Sequence, residues 1–189
     1  MSGIGILGGA FDPPHVGHVA LAEDAVRHFD LNRLLVRVVE EPGHKAIHTP
    51  PVIRLLLAEL AFAALDEAEV TLDPYARTVD SLEALGLDDP LFLIGADEFA
   101  AFPGWKDPAG VLARARVGVA TRPGTPPETL ATVLAQVPDP GRVDFFPIEP
   151  HDVSSSEIRD RVAAGAPIGD LVPSAVEAEI RRLGLYRDS

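Results

Sequence analysis

The stretch that decides the fold is GGAFDPPHVGH, which occupies residues 8–18. It follows a short β-branched run at residues 4–7, which predicts a buried first strand. Gly8 and Gly9 have no Cβ, so we expect the main chain to approach a ligand closely at this point. Two prolines then end the strand, and a helix is predicted to begin near His15. The stretch therefore predicts a strand, a glycine turn and a helix start in direct succession.

The two histidines of this stretch are predicted to act together. His15 and His18 are three residues apart, so they share one face of the helix in its first turn. Unpaired main-chain N–H groups and the positive end of the helix dipole favour an anion there. We expect Gly17, which lies between them, to keep the turn open to a bulky ligand. The pattern indicates a phosphate site.

Strands and helices alternate through the rest of the sequence. Apolar, β-branched runs predict further strands at residues 34–39, 68–72, 91–94, 117–120 and 143–146. Helices are predicted at residues 15–28, 51–64, 78–85, 127–136, 155–164 and 174–183, with one short helix after residue 94. The alternation predicts an α/β fold, a single Rossmann-like domain over residues 1–189 with a parallel sheet and helices on both faces. Ligands then bind at the carboxyl ends of the strands, where residues 8–9, 95–97 and 121–124 share one edge.

Composition and charge narrow the classes of function. The 189 residues, 47% of them hydrophobic, can form one sizeable core. The absence of cysteine excludes disulfides, thiolate catalysis and cysteine-bound metals. Without a signal-like start or a long apolar span, the protein is predicted to be cytoplasmic. The formal net charge of −13 argues against nucleic-acid and membrane partners. An anionic ligand therefore needs local cations, and the candidates are Lys45, Arg122 and Arg159.

A second candidate phosphate element is SSSEIR, at residues 154–159. Ser154 and Glu157 have the spacing of a capping box at a helix start. Hydroxyl groups and unpaired amides at such a start can also hold an anion, and Arg159 can add a bidentate clamp. In the helix predicted at residues 51–64, by contrast, we interpret Arg54 as part of a packing face with no other role.

Three further residues have two interpretations each. Lys45 lies in a long polar loop, where a lysine is usually solvated, although long loops often bind ligands. Trp105, the one tryptophan, is either an aromatic at the edge of the core or a stacking platform for a planar ring. Asp97 either accepts from a ribose hydroxyl or metal-bound water, or caps a helix.

The glycines at residues 3–8 formally match the dinucleotide-binding pattern G-x-G-x-x-G, with Glu40 or Glu41 as the acidic partner. That pattern should follow a strand and open a helix, whereas here the glycines straddle the strand itself. A dinucleotide-dependent oxidoreductase is therefore set aside.

The motifs resemble those of a known superfamily. Residues 8–18 resemble the G-G-T-F-D-P-x-H-x-G-H signature of the nucleotidyltransferases, and residues 154–159 resemble their I-S-S-T-x-I-R motif. Within that superfamily the sequence resembles the bacterial nicotinate-nucleotide adenylyltransferases. This narrower resemblance rests on GHK at 43–45, RTVDSL at 77–82, GAD at 95–97 with Trp105, TRPG at 121–124, and the ending from LVPSAV at 171–176 to Leu185-Tyr186.

The resemblance implies transfer of AMP from ATP to nicotinate mononucleotide, which yields deamido-NAD and pyrophosphate. It implies Mg²⁺ that bridges phosphates mostly through water, with no protein metal ligands. The catalytic residues it implies are His15, His18, Lys45 and Arg159. Those for ATP are Gly8, Gly9, Ala10, Phe11, Gly17, Gly95, Asp97, Ser154, Ser155 and Ser156, with the helices at about 155–183 completing the ATP site. Those for the second substrate are Thr78, Trp105 and Arg122.

Two alternatives stay open at this point. One is a related adenylyltransferase that uses nicotinamide mononucleotide or phosphopantetheine. The other is a weakly catalytic nucleotide-binding regulator, which is suggested by departures from the family pattern such as Ala10 and Ser156 in place of threonine. Oligomeric state, a homo-oligomer included, is also left open.

Overall fold

The computed structural model describes residues 3–43, 47, 49–122 and 127–187. The strands in this part of the chain are β1 (Ile4–Gly9), β2 (Arg33–Val39), β3 (Ala68–Asp73), β4 (Leu91–Gly95), β5 (Arg116–Thr121) and β6 (Val143–Pro147). The α-helices are α1 (Val16–Phe29), α2 (Pro51–Phe62), α3 (Thr78–Leu85), α4 (Ala96–Ala101), α5 (Pro108–Arg114), α6 (Pro127–Leu134), α7 (Ser155–Ala163) and α8 (Ser174–Leu183). None of these helices is long and apolar enough to cross a lipid membrane.

The strands form one sheet in the order β3-β2-β1-β4-β5-β6, and each neighbouring pair is parallel. The chain moves outward in one direction from β1 to β3, then crosses back and moves in the other direction from β4 to β6. The carboxyl ends of β1 and β4 flank this switch point, where ligands bind in open α/β sheets. The predicted parallel α/β fold is confirmed, and the turns after β1 and β4 lie side by side.

Helices cover both faces of the sheet, as predicted. In β2 the buried side chains alternate, so that Leu34 and Val36 join one apolar cluster while Leu35 joins the other. The first cluster packs α1, α2, α7 and α8 against the sheet. The second packs α3, α4, α5 and α6. The two helices that follow the candidate phosphate elements, α1 and α7, thus share one face.

The main difference from the predicted elements lies between β4 and β5. One short helix was predicted there, but the structure has α4, a 3-10 turn at Phe102–Gly104, and then α5. Asp107 caps α5, because its Oδ1 accepts from the Gly110 N–H at 2.9 Å, and Pro108 follows at the first helical position. This capping signal explains the second helix.

Candidate active site

The turn between β1 and α1 is organised around the buried ring of Phe11. This residue has a φ of 50°, and its side chain is only 2% exposed. A Cβ on Gly9 would lie 2.9 Å from the ring, so Gly9 is needed to make room for it. The ring meets His18 edge-on, with 5.0 Å between the ring centroids. Phe11 therefore supports a predicted catalytic histidine, and only its main chain is placed to meet a ligand.

His15 and His18 lie together at the start of α1, as predicted. His15 is the residue that caps the helix, and His18 is the third residue within it. Their rings stack with centroids 3.7 Å apart, and the His15 main-chain N–H donates to His18 Nδ1 at 3.3 Å. Because Nδ1 accepts this bond, a neutral His18 carries its proton on Nε2. Nε2 of the neutral His18 ring is therefore a hydrogen-bond donor.

Gly17 lies close to other parts of the protein. A Cβ at this position would lie 3.2 Å from the ring of His15 and 3.4 Å from Val153, in the loop between β6 and α7. The glycine therefore makes room for the histidine and for a neighbouring loop of the protein. That Gly17 keeps the turn open to a ligand stays a prediction.

His15 is neutral at physiological pH. Its side chain is 8% exposed, and its Nδ1 is buried with no hydrogen-bond partner among the described residues. Burial, together with the nearby charges of Arg122 and His151, lowers the pKa of His15 to about 4. The effect of Arg122 indicates a cation close to the helix start. His151 was not predicted from the sequence.

The stability of the protein is expected to depend on pH through His15. Its folded pKa of about 4 lies below the ordinary value of 6.5, so the unfolded chain binds more protons between these two values. The free energy of unfolding thus rises with pH across this window and falls, by roughly 3 kcal/mol, as pH drops toward 4. Urea unfolding from pH 7.5 to 4.5 measures this dependence. His15→Gln should flatten the curve, whereas parallel curves for variant and wild type would contradict the assignment.

The start of α7 docks onto the turn after β1. Ser155 Oγ donates to the carbonyl oxygen of Pro13 at 2.8 Å. Arg159 donates through Nη1 to the carbonyl oxygen of Asp12 at 2.7 Å and through Nη2 to Ser156 Oγ at 3.2 Å. The structure therefore brings the predicted serines and Arg159 next to the histidine turn, although 147 residues separate Asp12 from Arg159.

The predicted capping box of α7 is only half formed. Ser154 Oγ accepts from the Glu157 N–H at 3.1 Å, as a capping residue does. The Glu157 carboxylate does not return the bond, because it pairs with Arg161 at 2.8 Å one turn later. Ser154 thus caps the helix alone.

Tyr186 also holds the turn after β1, and its role was not predicted. Its hydroxyl donates to Asp12 Oδ1 at 2.8 Å, and both side chains are buried. Burial raises the pKa of Tyr186, and the Asp12 charge raises it further, so the hydroxyl keeps its proton. Residue type did not reveal this pair, although a buried aspartate needs a hydrogen-bond donor, because the burial of Asp12 is visible only in the folded chain.

We expect Tyr186→Phe to lower the free energy of unfolding by about 1.5–3 kcal/mol, because a buried carboxylate loses its hydroxyl donor. Urea unfolding measures the change. The matched control is Tyr75→Phe, since Tyr75 is the other tyrosine of the chain and is exposed. The control should change stability by less than about 0.5 kcal/mol. Equal effects of the two substitutions would contradict a special role for Tyr186.

Thr78, predicted to bind the second substrate, is the first residue of α3. The loop before it is fixed by Asp73, which is buried and accepts from Ser81 Oγ at 2.6 Å and from the Tyr75 N–H at 3.1 Å. Arg37 lies 3.4 Å from the same carboxylate. Asp73 therefore holds the start of α3 in place, and the sequence did not reveal this function.

Trp105 lies at the edge of the second apolar cluster. Its ring is partly buried against Phe102 and Phe92, at centroid distances of 5.2 and 6.2 Å. Phe92 in turn lies 3.7 Å from where a Cβ of Gly8 would be, so one aromatic ring separates Trp105 from the carboxyl end of β1. The interpretation as an edge-of-core aromatic is confirmed. Stacking on a ligand stays a prediction.

The turn after β4 places Gly95, and not Asp97, at the capping position of α4. Gly95 is the residue that caps α4, and its N–H donates to Glu98 Oε2 at 3.1 Å. Asp97 is the second helical residue and is exposed, so the capping interpretation of Asp97 is wrong. A ribose contact for Asp97 stays a prediction. Lys45 lies outside the described residues.

Arg54 is the largest departure from the sequence interpretation. We expected a packing residue, but its guanidinium is fully buried and donates to main-chain carbonyl oxygens of Ala10, Val39, Glu40 and Thr49. The available signal was a lone arginine within an apolar helix. Its partners could not be predicted, because every residue type has a carbonyl group.

Comparisons with known proteins identify the family of the chain. A cytidylyltransferase-like family model matches residues 6–161, which include both candidate phosphate elements. A protein of Thermomicrobium roseum is 37% identical, over 99% of this chain and 92% of its own length. A protein of Bordetella pertussis is 36% identical, over 97% of this chain and 98% of its own. Both carry the name "Probable nicotinate-nucleotide adenylyltransferase". The chain belongs to the nicotinate-nucleotide adenylyltransferase family.

Solved structures support the fold of this family member. A nicotinic acid mononucleotide adenylyltransferase of Plasmodium falciparum, complexed with NaAD, is 17% identical with a TM-score of 0.76, and the alignment covers 98% of each chain. The same Plasmodium enzyme complexed with APC gives a TM-score of 0.72, over 97% of this chain and 96% of that one. The sheet and its helices are therefore those of a nucleotidyltransferase.

Proposed function

We propose that this chain transfers the AMP moiety of ATP to the phosphate of nicotinate mononucleotide, forming deamido-NAD and pyrophosphate. The observation that carries the proposal is the docking of α7 onto the histidine turn. It joins two separate anion-binding elements, the start of α1 and the start of α7, at the switch point of the sheet. Family membership over nearly the whole chain supports the same reaction.

The reaction is an in-line displacement at the α-phosphorus. A phosphate oxygen of the mononucleotide forms a bond to that phosphorus, the bond to the oxygen bridging the α- and β-phosphates breaks, and pyrophosphate leaves with the electron pair. The attacking oxygen already carries negative charge, so no general base is required. The protein has to align the reactants and stabilise the charge that develops on the phosphates.

The residues of the site divide these tasks. His18 donates from Nε2 to the α-phosphate, and the neutral ring of His15 holds it in place by stacking. Arg159 binds the β- and γ-phosphates next to the serines of α7, together with Lys45. On the other side, Thr78 and Trp105 contact the nicotinate nucleotide. The remaining contacts to ATP and to the second substrate are assigned to Gly8, Gly9, Ala10, Phe11, Gly17, Gly95, Asp97, Arg122, Ser154, Ser155 and Ser156.

Mg²⁺ enters this site as part of the substrate, MgATP. The described residues contain no group of three or more histidine, aspartate or glutamate side chains that could hold a metal. Asp12, the carboxylate of the histidine turn, is buried and accepts from Tyr186. Phosphate oxygens and water would hold the ion, which suits the coordination preferences of Mg²⁺.

The test is pyrophosphate release with MgATP and one of three acceptors: nicotinate mononucleotide, nicotinamide mononucleotide or phosphopantetheine. We expect the highest kcat/KM with nicotinate mononucleotide. A higher value with either other acceptor would reassign the substrate. Measurable ATP binding without release for any acceptor would favour a regulatory nucleotide-binding protein.

A further inference from the structure

Arg54 connects the carboxyl ends of β1 and β2, at the point where the pairing of these two strands ends. The last paired residues of β1 and β2 are Gly9 and Val38. One residue further along each strand, the carbonyl oxygens of Ala10 and Val39 both accept from Arg54 Nη1, at 2.7 and 2.8 Å. Arg54 Nη1 therefore joins the two segments just beyond the point where the pairing of β1 with β2 ends.

The same guanidinium also holds both ends of the loop between β2 and α2. Nη2 donates to the Glu40 carbonyl at 2.7 Å, where the loop begins, and Nε donates to the Thr49 carbonyl at 3.1 Å, where it ends. Four of the five N–H groups of the Arg54 guanidinium thus donate to main-chain oxygens. The guanidinium is fully buried, so water cannot substitute for these bonds. A lysine has three donors on one atom and cannot reproduce this fork.

We propose that Arg54 is a positioning residue for the adenylyl transfer, an inference that rests on the proposed function. It fixes the turn that carries His15 and His18 relative to the neighbouring loop between β2 and α2. Ala10 immediately precedes Phe11, whose ring meets His18, so a shift at Ala10 moves the phosphate-binding histidine. Arg54 contacts neither substrate and acts through the main chain.

The experiment compares Arg54→Lys with a matched control on the same helix. The substitution keeps the charge but removes the fork geometry, so kcat is expected to fall roughly 10- to 100-fold through misalignment, with each KM changed less than about threefold. The control is Leu57→Ala, a fully buried residue in the first apolar cluster. It should lower the melting temperature at least as much, with kcat within about twofold of wild type. Equal kcat losses in the two variants, or a near-normal kcat in Arg54→Lys, would overturn the proposal.

Hydrogen exchange gives a second readout that does not depend on activity. Arg54→Lys should speed amide exchange in residues 8–12 and 38–41 together, and Leu57→Ala should leave these two segments unchanged relative to the rest of the sheet. If Arg54→Lys does not fold, native-state exchange of the wild type under mild denaturant serves instead, and the two segments should open as one unit. Independent opening would overturn the proposal.

Wild type that releases no pyrophosphate would refute the proposed function, while the exchange result would still stand.

Discussion

Replacement of His18 by alanine is expected to lower kcat by roughly 10²–10³-fold, the size of the loss when one preorganised donor to a developing charge is removed. The structure gives the reason. His18 Nδ1 accepts from the His15 main chain, so Nε2 is the donor, and the rings of His15 and Phe11 hold the imidazole on two sides. Initial rates of pyrophosphate release at saturating substrates measure the change.

The matched control is His28→Ala, at the exposed last turn of the same helix. It should leave kcat within about twofold of wild type. Circular dichroism and the melting temperature establish that the His18→Ala protein is folded. A folded His18→Ala enzyme with kcat within about threefold of wild type would contradict the role given to His18.

Arg159→Ala is expected to lower kcat/KM for ATP by roughly 10²-fold or more, because it removes a charged bidentate partner for phosphate oxygens. A second loss adds to this one, since Arg159 also donates to the Asp12 carbonyl and thereby joins α7 to the histidine turn. Steady-state kinetics with ATP as the varied substrate measure the effect.

Arg161 provides the control for this substitution. It lies two residues further along α7, is exposed, and pairs with Glu157. Arg161→Ala should change kcat/KM for ATP by no more than about twofold. If Arg161→Ala and Arg159→Ala lose activity equally, the loss reflects the helix as a whole, and Arg159 has no specific phosphate role.

The local patterns of the sequence predicted the helices and strands well, because each depends on residues close together in the chain. The apolar run of β2 and the helix predicted at residues 51–64 are examples. The second helix between β4 and β5 was missed although Asp107 and Pro108 carried a capping signal. The approach of Val153 to Gly17 was missed, because Val153 comes from 136 residues later in the sequence.

The sequence by itself determined the α/β alternation, the pair of histidines at a helix start, and the second helix start, around Arg159, which we predict to bind an anion. These are short-range patterns whose chemistry is carried by residue type and spacing. The tertiary structure alone decided which elements meet. It placed Tyr186 against Asp12 from 174 residues away, buried His15 so that its pKa falls, and turned Arg54 from a packing residue into a link between two segments. Residue type does not specify which side chains or main-chain carbonyl groups a residue will meet, so only the folded chain reveals these partners.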